Sequence, residues 1–205
     1  MFVPAAEESG LILPLGEWVL YAACRQLAQW AKDPQMAGLT MSVNVSPRQF
    51  YQPSFVEQVQ QALRVTGAPP RMLELELTEG MLLADVEDTI RKMVQLKAMG
   101  VIFSLDDFGT GYSSLSYLKR LPLDKLKIDQ SFVYEVLSSA NDATIARSII
   151  ALGNSLGLQV IAEGVETEAQ REFLIKHRCD FMQGYLFGKP APASAVPDLL
   201  RQRLH

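Results

Sequence analysis

Five side chains in this sequence offer only oxygen donors and recur at the ends of apolar segments: Asn44, Glu76, Asp106, Asp107 and Glu163. Read with the period of two that a strand imposes, each segment has one polar face. Ser42 and Asn44 oppose Met41, Val43 and Val45, and Glu74 and Glu76 oppose Leu73, Leu75 and Leu77. Ile102, Ser104 and Asp106 oppose Val101, Phe103 and Leu105, while Lys125, Lys127 and Asp129 oppose Leu126 and Ile128. Gln159, Ile161 and Glu163 oppose Val160 and Ala162, and Phe181 and Gln183 oppose Met182. Acids, lysines and amides therefore converge on one interior, which is costly unless they hold a metal or one another.

Hard divalent cations such as Mg²⁺ or Mn²⁺ prefer an all-oxygen donor set. Two adjacent aspartates can serve two ions with one carboxylate bridging, and two ions about 3.5–4 Å apart form a clamp for in-line displacement at phosphorus. Lys127, one strand away, can orient or deprotonate an attacking water or neutralise charge building on a phosphate. An interior ion-pair network linking Glu74, Glu76 and Asp106 to Lys125 and Lys127 is the competing account of the same residues. The position of the polar residues at one end of every segment favours the metal site.

Asp107-Phe108-Gly109-Thr110-Gly111-Tyr112-Ser113-Ser114 leaves the third segment with two glycines, which permit tight or positive-φ backbone beside the acids. No Gly-Lys-Ser/Thr follows, so this is neither a P-loop nor a dinucleotide fingerprint. Glu79, three residues beyond Glu76, can accept a hydrogen bond from such a loop.

The elements that must position these residues alternate. Helices are expected at Leu15–Ala31, about 53–66, from Asp85 (with Val86, Ile90, Met93 and Val94 inward) to Gly100, near 113–119, and at 141–156, 167–177 and 193–201. Strands are expected at Met41–Ser46, Met72–Glu79, Val101–Asp107, 124–129, 158–163 and 180–183. Alternating β and α units imply a parallel sheet covered by helices. A sheet with one polar face suits a barrel lumen better than an open doubly wound sheet, whose strands are apolar on both faces. The fold class is therefore an α/β, modified TIM-type barrel. It is incomplete, with about six of the eight strands such a barrel has.

The 205 residues suffice for a single domain with a sizeable core. A net charge of −4 without a basic stripe argues against a nucleic-acid polymer as partner. The two histidines, His177 and His205, exclude His-based zinc sites and Ser-His-Asp triads. Cys24 and Cys179 lie in no metal or redox spacing and read as buried thiols of a reducing compartment. No apolar run reaches spanning length, so no membrane insertion is expected and the cytoplasm is the expected location.

Ser42-Val43-Asn44-Val45-Ser46, Glu74-Leu75-Glu76-Leu77-Thr78-Glu79, Asp106-Asp107-Phe108-Gly109-Thr110-Gly111, Lys127-Ile128-Asp129-Gln130-Ser131-Phe132-Val133, Ala162-Glu163-Gly164-Val165-Glu166-Thr167 and Gln183-Gly184-Tyr185-Leu186-Phe187-Gly188-Lys189-Pro190 strongly resemble the EAL domain of bacterial cyclic di-GMP phosphodiesterases. The resemblance spans essentially the whole chain. It implies a modified TIM barrel that hydrolyses cyclic di-GMP to linear pGpG with two Mg²⁺ or Mn²⁺ ions. By position, Asn44, Glu76 and Asp106 resemble first-metal ligands, and Asp106, Asp107 and Glu163 the second-metal set. Lys127 resembles the catalytic lysine, Gln183 a residue that helps order the site, Glu79 the acid that steadies the Asp-Phe-Gly-Thr-Gly loop, and Glu166 a position near the bound guanine. A homodimer or self-association and fused regulatory domains are the further partners it implies. The Glu-Ala-Leu-x-Arg segment that names the family is absent from the sequence. The expectation is that it lies a short way upstream of Met1, so that residues 1–205 form one EAL-type domain lacking its first strands, with impaired hydrolysis. A non-catalytic cyclic di-GMP-binding or protein-interaction module is the alternative.

Overall fold

A computed structural model describes residues 2–82, 85–110 and 115–203. Two helices, α1 (Val3–Ser9) and α2 (Ile12–Trp30), precede β1 (Met41–Asn44). α3 (Pro47–Phe50) and α4 (Phe55–Thr66) lead to β2 (Leu73–Thr78), α5 (Val86–Lys97) to β3 (Ile102–Phe108), and α6 (Leu115–Leu118) to β4 (Lys125–Ile128). α7 (Gln130–Tyr134) and α8 (Ala140–Ser155) come before β5 (Gln159–Ala162), α9 (Glu168–Lys176) before β6 (Phe181–Met182), and α10 (Val196–Arg203) ends the fold. The start expected for the helix near 113–119, and residues 111–114 of the glycine loop, lie outside the described residues.

Local chemistry sets these boundaries. Asp85 caps α5 by accepting from the Asp88 amide at 3.0 Å, and Ser139 caps α8 in the same way from Asp142. α4 stops at Gly67, whose φ of 71° closes the helix in the left-handed region that glycine tolerates. α9 opens on a capping box between Thr167 and Gln170. The Val94 expectation is corrected: this side chain is 51% exposed. Thr89, Lys92, Met93 and Leu96 carry the buried stripe of α5 instead. Lys92 is drawn inward because its ammonium donates to the Phe50 and Gln52 carbonyls at 2.9 and 3.3 Å and pairs with Asp88 at 2.9 Å.

The six strands pair in sequence order and all in parallel, leaving β1 and β6 as the outer strands. This is the expected α/β partial barrel, six strands with helices between them. Leu73, Leu75, Leu77, Phe103, Leu105, Leu126, Ile128, Val160 and Ala162 form the core between sheet and helices. The opposite, lumen-side face carries Glu74, Glu76, Ser104, Asp106 and Lys127, all buried. Cys24 and Cys179 are also buried, and burial pushes both thiols up to about 11.

Candidate metal centre

Strand register places the acids at one end of the sheet. Asn44 stands opposite Glu76, and Glu76 opposite Ser104 on the next strand. Between β3 and β4 the pairing runs Leu105 to Leu126 and resumes at Phe108 to Ile128. Two residues, Asp106 and Asp107, therefore oppose Lys127 alone. A bulge of this kind bends the strand and re-aims a side chain. Simple alternation would send Asp107 to the helix side. The bulge, with Asp107 at φ 53°, brings it to the rim instead. One carboxylate oxygen from each of Asp106, Asp107 and Glu163 lies within 4.8 Å of the others.

Lys127 is the hub. Its ammonium, 5% exposed, lies 2.9 Å from Glu76, 2.9 Å from Asp106 and 2.7 Å from Glu163. Burial alone would lower the lysine pKa, but the hydrogen bond to Glu163 and the charges of Glu76, Asp106 and Glu163 together drive it above the ordinary lysine range. Three carboxylates around the amine favour its cationic form within this ion-pair network. Burial raises the Glu163 carboxyl, opposed by its bond to Lys127 and reinforced by Asp106 and Glu76. Asp107 is raised by burial, by Asp106, and by both the charge and a hydrogen bond of Asp129, with Lys127 opposing. The competing ion-pair network is thus present around Lys127, and it uses the same carboxylates that would hold an ion. A cluster of only oxygen donors with surplus negative charge fits Mg²⁺ or Mn²⁺ by its chemistry.

Glu79 lies just beyond β2, is 3% exposed, and accepts from the Gly109 amide at 3.3 Å. Its other oxygen, Oε1, is buried without a protein partner among the described residues. Gly109 needs its φ of 102°, and an added Cβ would press on Phe132 at 2.9 Å. Gln183 and Glu166 do not join the carboxylate trio. Together with Gln130, Glu163, Gly164, Gly184 and Tyr185 they line an adjoining cavity of about 270 Å³. Asn44 is exposed on the outer strand β1.

Two contributors were not among the expected site residues. Asp129, next in line on the polar face after Lys125 and Lys127, sits against Asp107. Gln170 accepts from the Glu166 and Thr167 amides at 2.8 and 3.0 Å and donates to the Val133 and Tyr134 carbonyls at 3.2 and 3.3 Å. It thereby ties the loop after β5 to α7. The signal for it was the Thr167-x-x-Gln170 capping spacing.

A parallel α/β sheet whose strand ends converge on an oxygen-donor rim around one lysine defines a TIM-type barrel with a candidate divalent-metal site. The EAL domain family model matches residues 1–190, and the chain belongs to that family. It is 48% identical over 195 residues to the bifunctional diguanylate cyclase/cyclic di-GMP phosphodiesterase MucR of Pseudomonas aeruginosa, covering 95% of this chain and 28% of that protein. It is 44% identical over 203 residues to the cyclic di-GMP phosphodiesterase NbdA of the same organism, covering 98% of this chain and 25% of that protein. The chain thus spans about a quarter of the length of these curated relatives. Among solved structures, the PaMucR phosphodiesterase in complex with c-di-GMP superposes with a TM-score of 0.92 at 47% identity, over 95% of this chain and 78% of that one. The EAL domain of Mycobacterium smegmatis DcpA superposes with a TM-score of 0.85 at 42% identity, over 92% and 84%.

Proposed function

We propose that residues 1–205 act as one EAL-type domain that hydrolyses cyclic di-GMP to linear pGpG. The observation that carries this reading is the Lys127 ammonium set among Glu76, Asp106 and Glu163, with Asp107 folded onto the same rim by a bulge. Asn44, Glu76 and Asp106 would hold one ion and Asp106, Asp107 and Glu163 the other, Mg²⁺ or Mn²⁺ in each case. Bound there, such ions supply Lewis-acid polarisation of a phosphoryl oxygen and an activated water. Lys127, kept cationic by its carboxylates, neutralises negative charge that develops on the scissile phosphate. Glu79 steadies the loop after β3 through the Gly109 amide, fixing where Asp106 and Asp107 stand. Glu166 and Gln183 line the cavity beside the rim and would face a guanine base of the substrate. The setting is cytoplasmic. Among the described residues no helix is long and apolar enough to cross a membrane. A homodimer and fused regulatory domains complete the proposal.

A second reading, a cyclic di-GMP-binding module without catalysis, is favoured by the ion pairs that Lys127 makes with Glu76, Asp106 and Glu163, the side chains that would otherwise hold an ion. Chromatographic detection of pGpG after incubation with cyclic di-GMP and Mn²⁺ decides between them. Product that disappears in chelator supports the enzyme. Calorimetric binding in Ca²⁺ with no product in Mn²⁺ or Mg²⁺ supports the binding module, and absence of both refutes the shared premise.

A further inference from the structure

The lumen face carries a second acid–lysine pair that the proposed chemistry does not use. Glu74 and Lys125 lie two residues before Glu76 and Lys127, on the same strands and the same face. Their charged atoms are 2.5 Å apart, with Glu74 2% and Lys125 16% exposed. The pair spans β3: Glu74 stands opposite Ile102, and Lys125 opposite Ser104. Ser104, a small buried side chain of β3, stands opposite Glu76 on β2 and Lys125 on β4. The result is two stacked acid–lysine rungs, the upper at the rim and the lower one layer beneath it.

Charge balance makes the lower rung matter to the upper. Across both layers, Glu74, Glu76, Asp106, Asp107 and Glu163, with Asp129 beside Asp107, outnumber Lys125 and Lys127 among the described residues. The surplus of carboxylates is what cations would satisfy. Lysine is a compact charge on a flexible stem. Released from Glu74, the Lys125 ammonium would lie one layer below the rim carboxylates, where it would compete with a divalent ion for their oxygens.

We propose that Glu74 and Lys125 are a positioning pair. Glu74 sequesters the Lys125 ammonium below the rim, so that Lys127 alone shares Glu76, Asp106 and Glu163 with divalent ions. This rests on the reading of the rim as an ion site, and ion binding itself is therefore the readout.

The test is a double-mutant cycle read by calorimetric titration of the chain with Ca²⁺ and with Mn²⁺, alongside melting temperatures. E74Q is expected to weaken ion binding by about tenfold, the order set by one unit charge acting across a partly buried site. K125M leaves Glu74 as an added negative charge and is expected to tighten binding several-fold. E74Q/K125M is expected to return within about twofold of the parent. A purely structural pair would lower the melting temperatures of both single variants and move their ion affinities in the same direction or not at all, and that result overturns the proposal. If one single variant fails to fold, the other single variant and the double still decide. Should the parent bind neither ion, the metal-site reading fails and this proposal with it. Should the parent bind while the cycle stays flat, only this proposal fails.

Discussion

Lys127 separates two roles that one side chain often merges. Its ammonium pairs with three carboxylates, and its charge is placed to meet a phosphate during reaction. K127M removes both. The first loss leaves buried carboxylates uncompensated, so the ion-free chain should lose about 3–5 kcal/mol of stability. The second should lower turnover by about 10²–10³-fold, the range for removal of one group that stabilises developing charge. Ca²⁺ affinity should be kept or increased, because the displaced competitor was the lysine. A calorimetric titration showing ion affinity lost in step with turnover would assign Lys127 to holding the site together rather than to charge stabilisation.

Individual elements show which contacts lock the frame. α5 is tied to the end of α3 by Lys92, whose partner Asp88 is held below the usual carboxylate range by the Lys92 hydrogen bond, with Arg91 adding to it. A carboxylate with a depressed folded pKa contributes stability that is present above its unfolded pKa, near 3.9, and is lost as pH falls through its folded value. D88N should therefore lower stability at neutral pH and flatten the loss of stability below about pH 4, as measured by urea midpoints across pH. An unchanged acid limb would show that Asp88 is not part of it. At the other end of the sheet, the turn after β6 packs backbone on backbone. A Cβ on Gly184 would stand 2.2 Å from the Val165 carbonyl oxygen and 2.3 Å from its nitrogen. G184A should cost about 2 kcal/mol or more and lower the melting temperature by about 4–8 °C. It should also disturb Gln183 beside Glu163. A variant that melts with the parent would mean the turn yields freely.

At the same scale, the sequence made the rim legible where chemistry and periodicity coincided. Glu76, Asp106, Lys127 and Glu163 each follow alternating apolar residues, and period two alone puts them on one face. Asp107 broke that rule, because the bulge that turns it inward is a property of the β3–β4 register and not of either strand's own pattern. α7 spans five residues, too few for a 3.6-residue apolar period to show. Asp129 in fact caps the helix by accepting from the Ser131 amide at 2.9 Å. α1 spans seven residues with Pro4 in its first turn, likewise too few for a helical period to show. The Val94 misplacement has a related cause. A Lys at position 92 has the composition of a surface residue, yet it reaches inward to the Phe50 carbonyl and shares the buried face with Thr89, Met93 and Leu96, a face that excludes Val94.

Taken as one body, the chain carries a net charge of −4 with its densest negative charge gathered inside the sheet. Nothing in the unfolded chain brings Glu76, Asp106, Asp107 and Glu163 together, so ions that use them bind only the folded state. Such binding stabilises by about 2.7 kcal/mol at a free ion concentration a hundredfold above the dissociation constant. For a domain of this size that corresponds to a rise in melting temperature of about 5–10 °C. Saturating Ca²⁺ should therefore raise the melting temperature by that amount over NaCl of equal ionic strength, and chelator should reverse it. Screening cannot mimic the effect, since equal ionic strength screens equally. D106N, which takes a charge from the centre of the rim without changing its size, should lose most of the rise. A rise in D106N equal to that of the parent would place the ions on the outer surface and remove the premise that the folded sheet itself assembles the site.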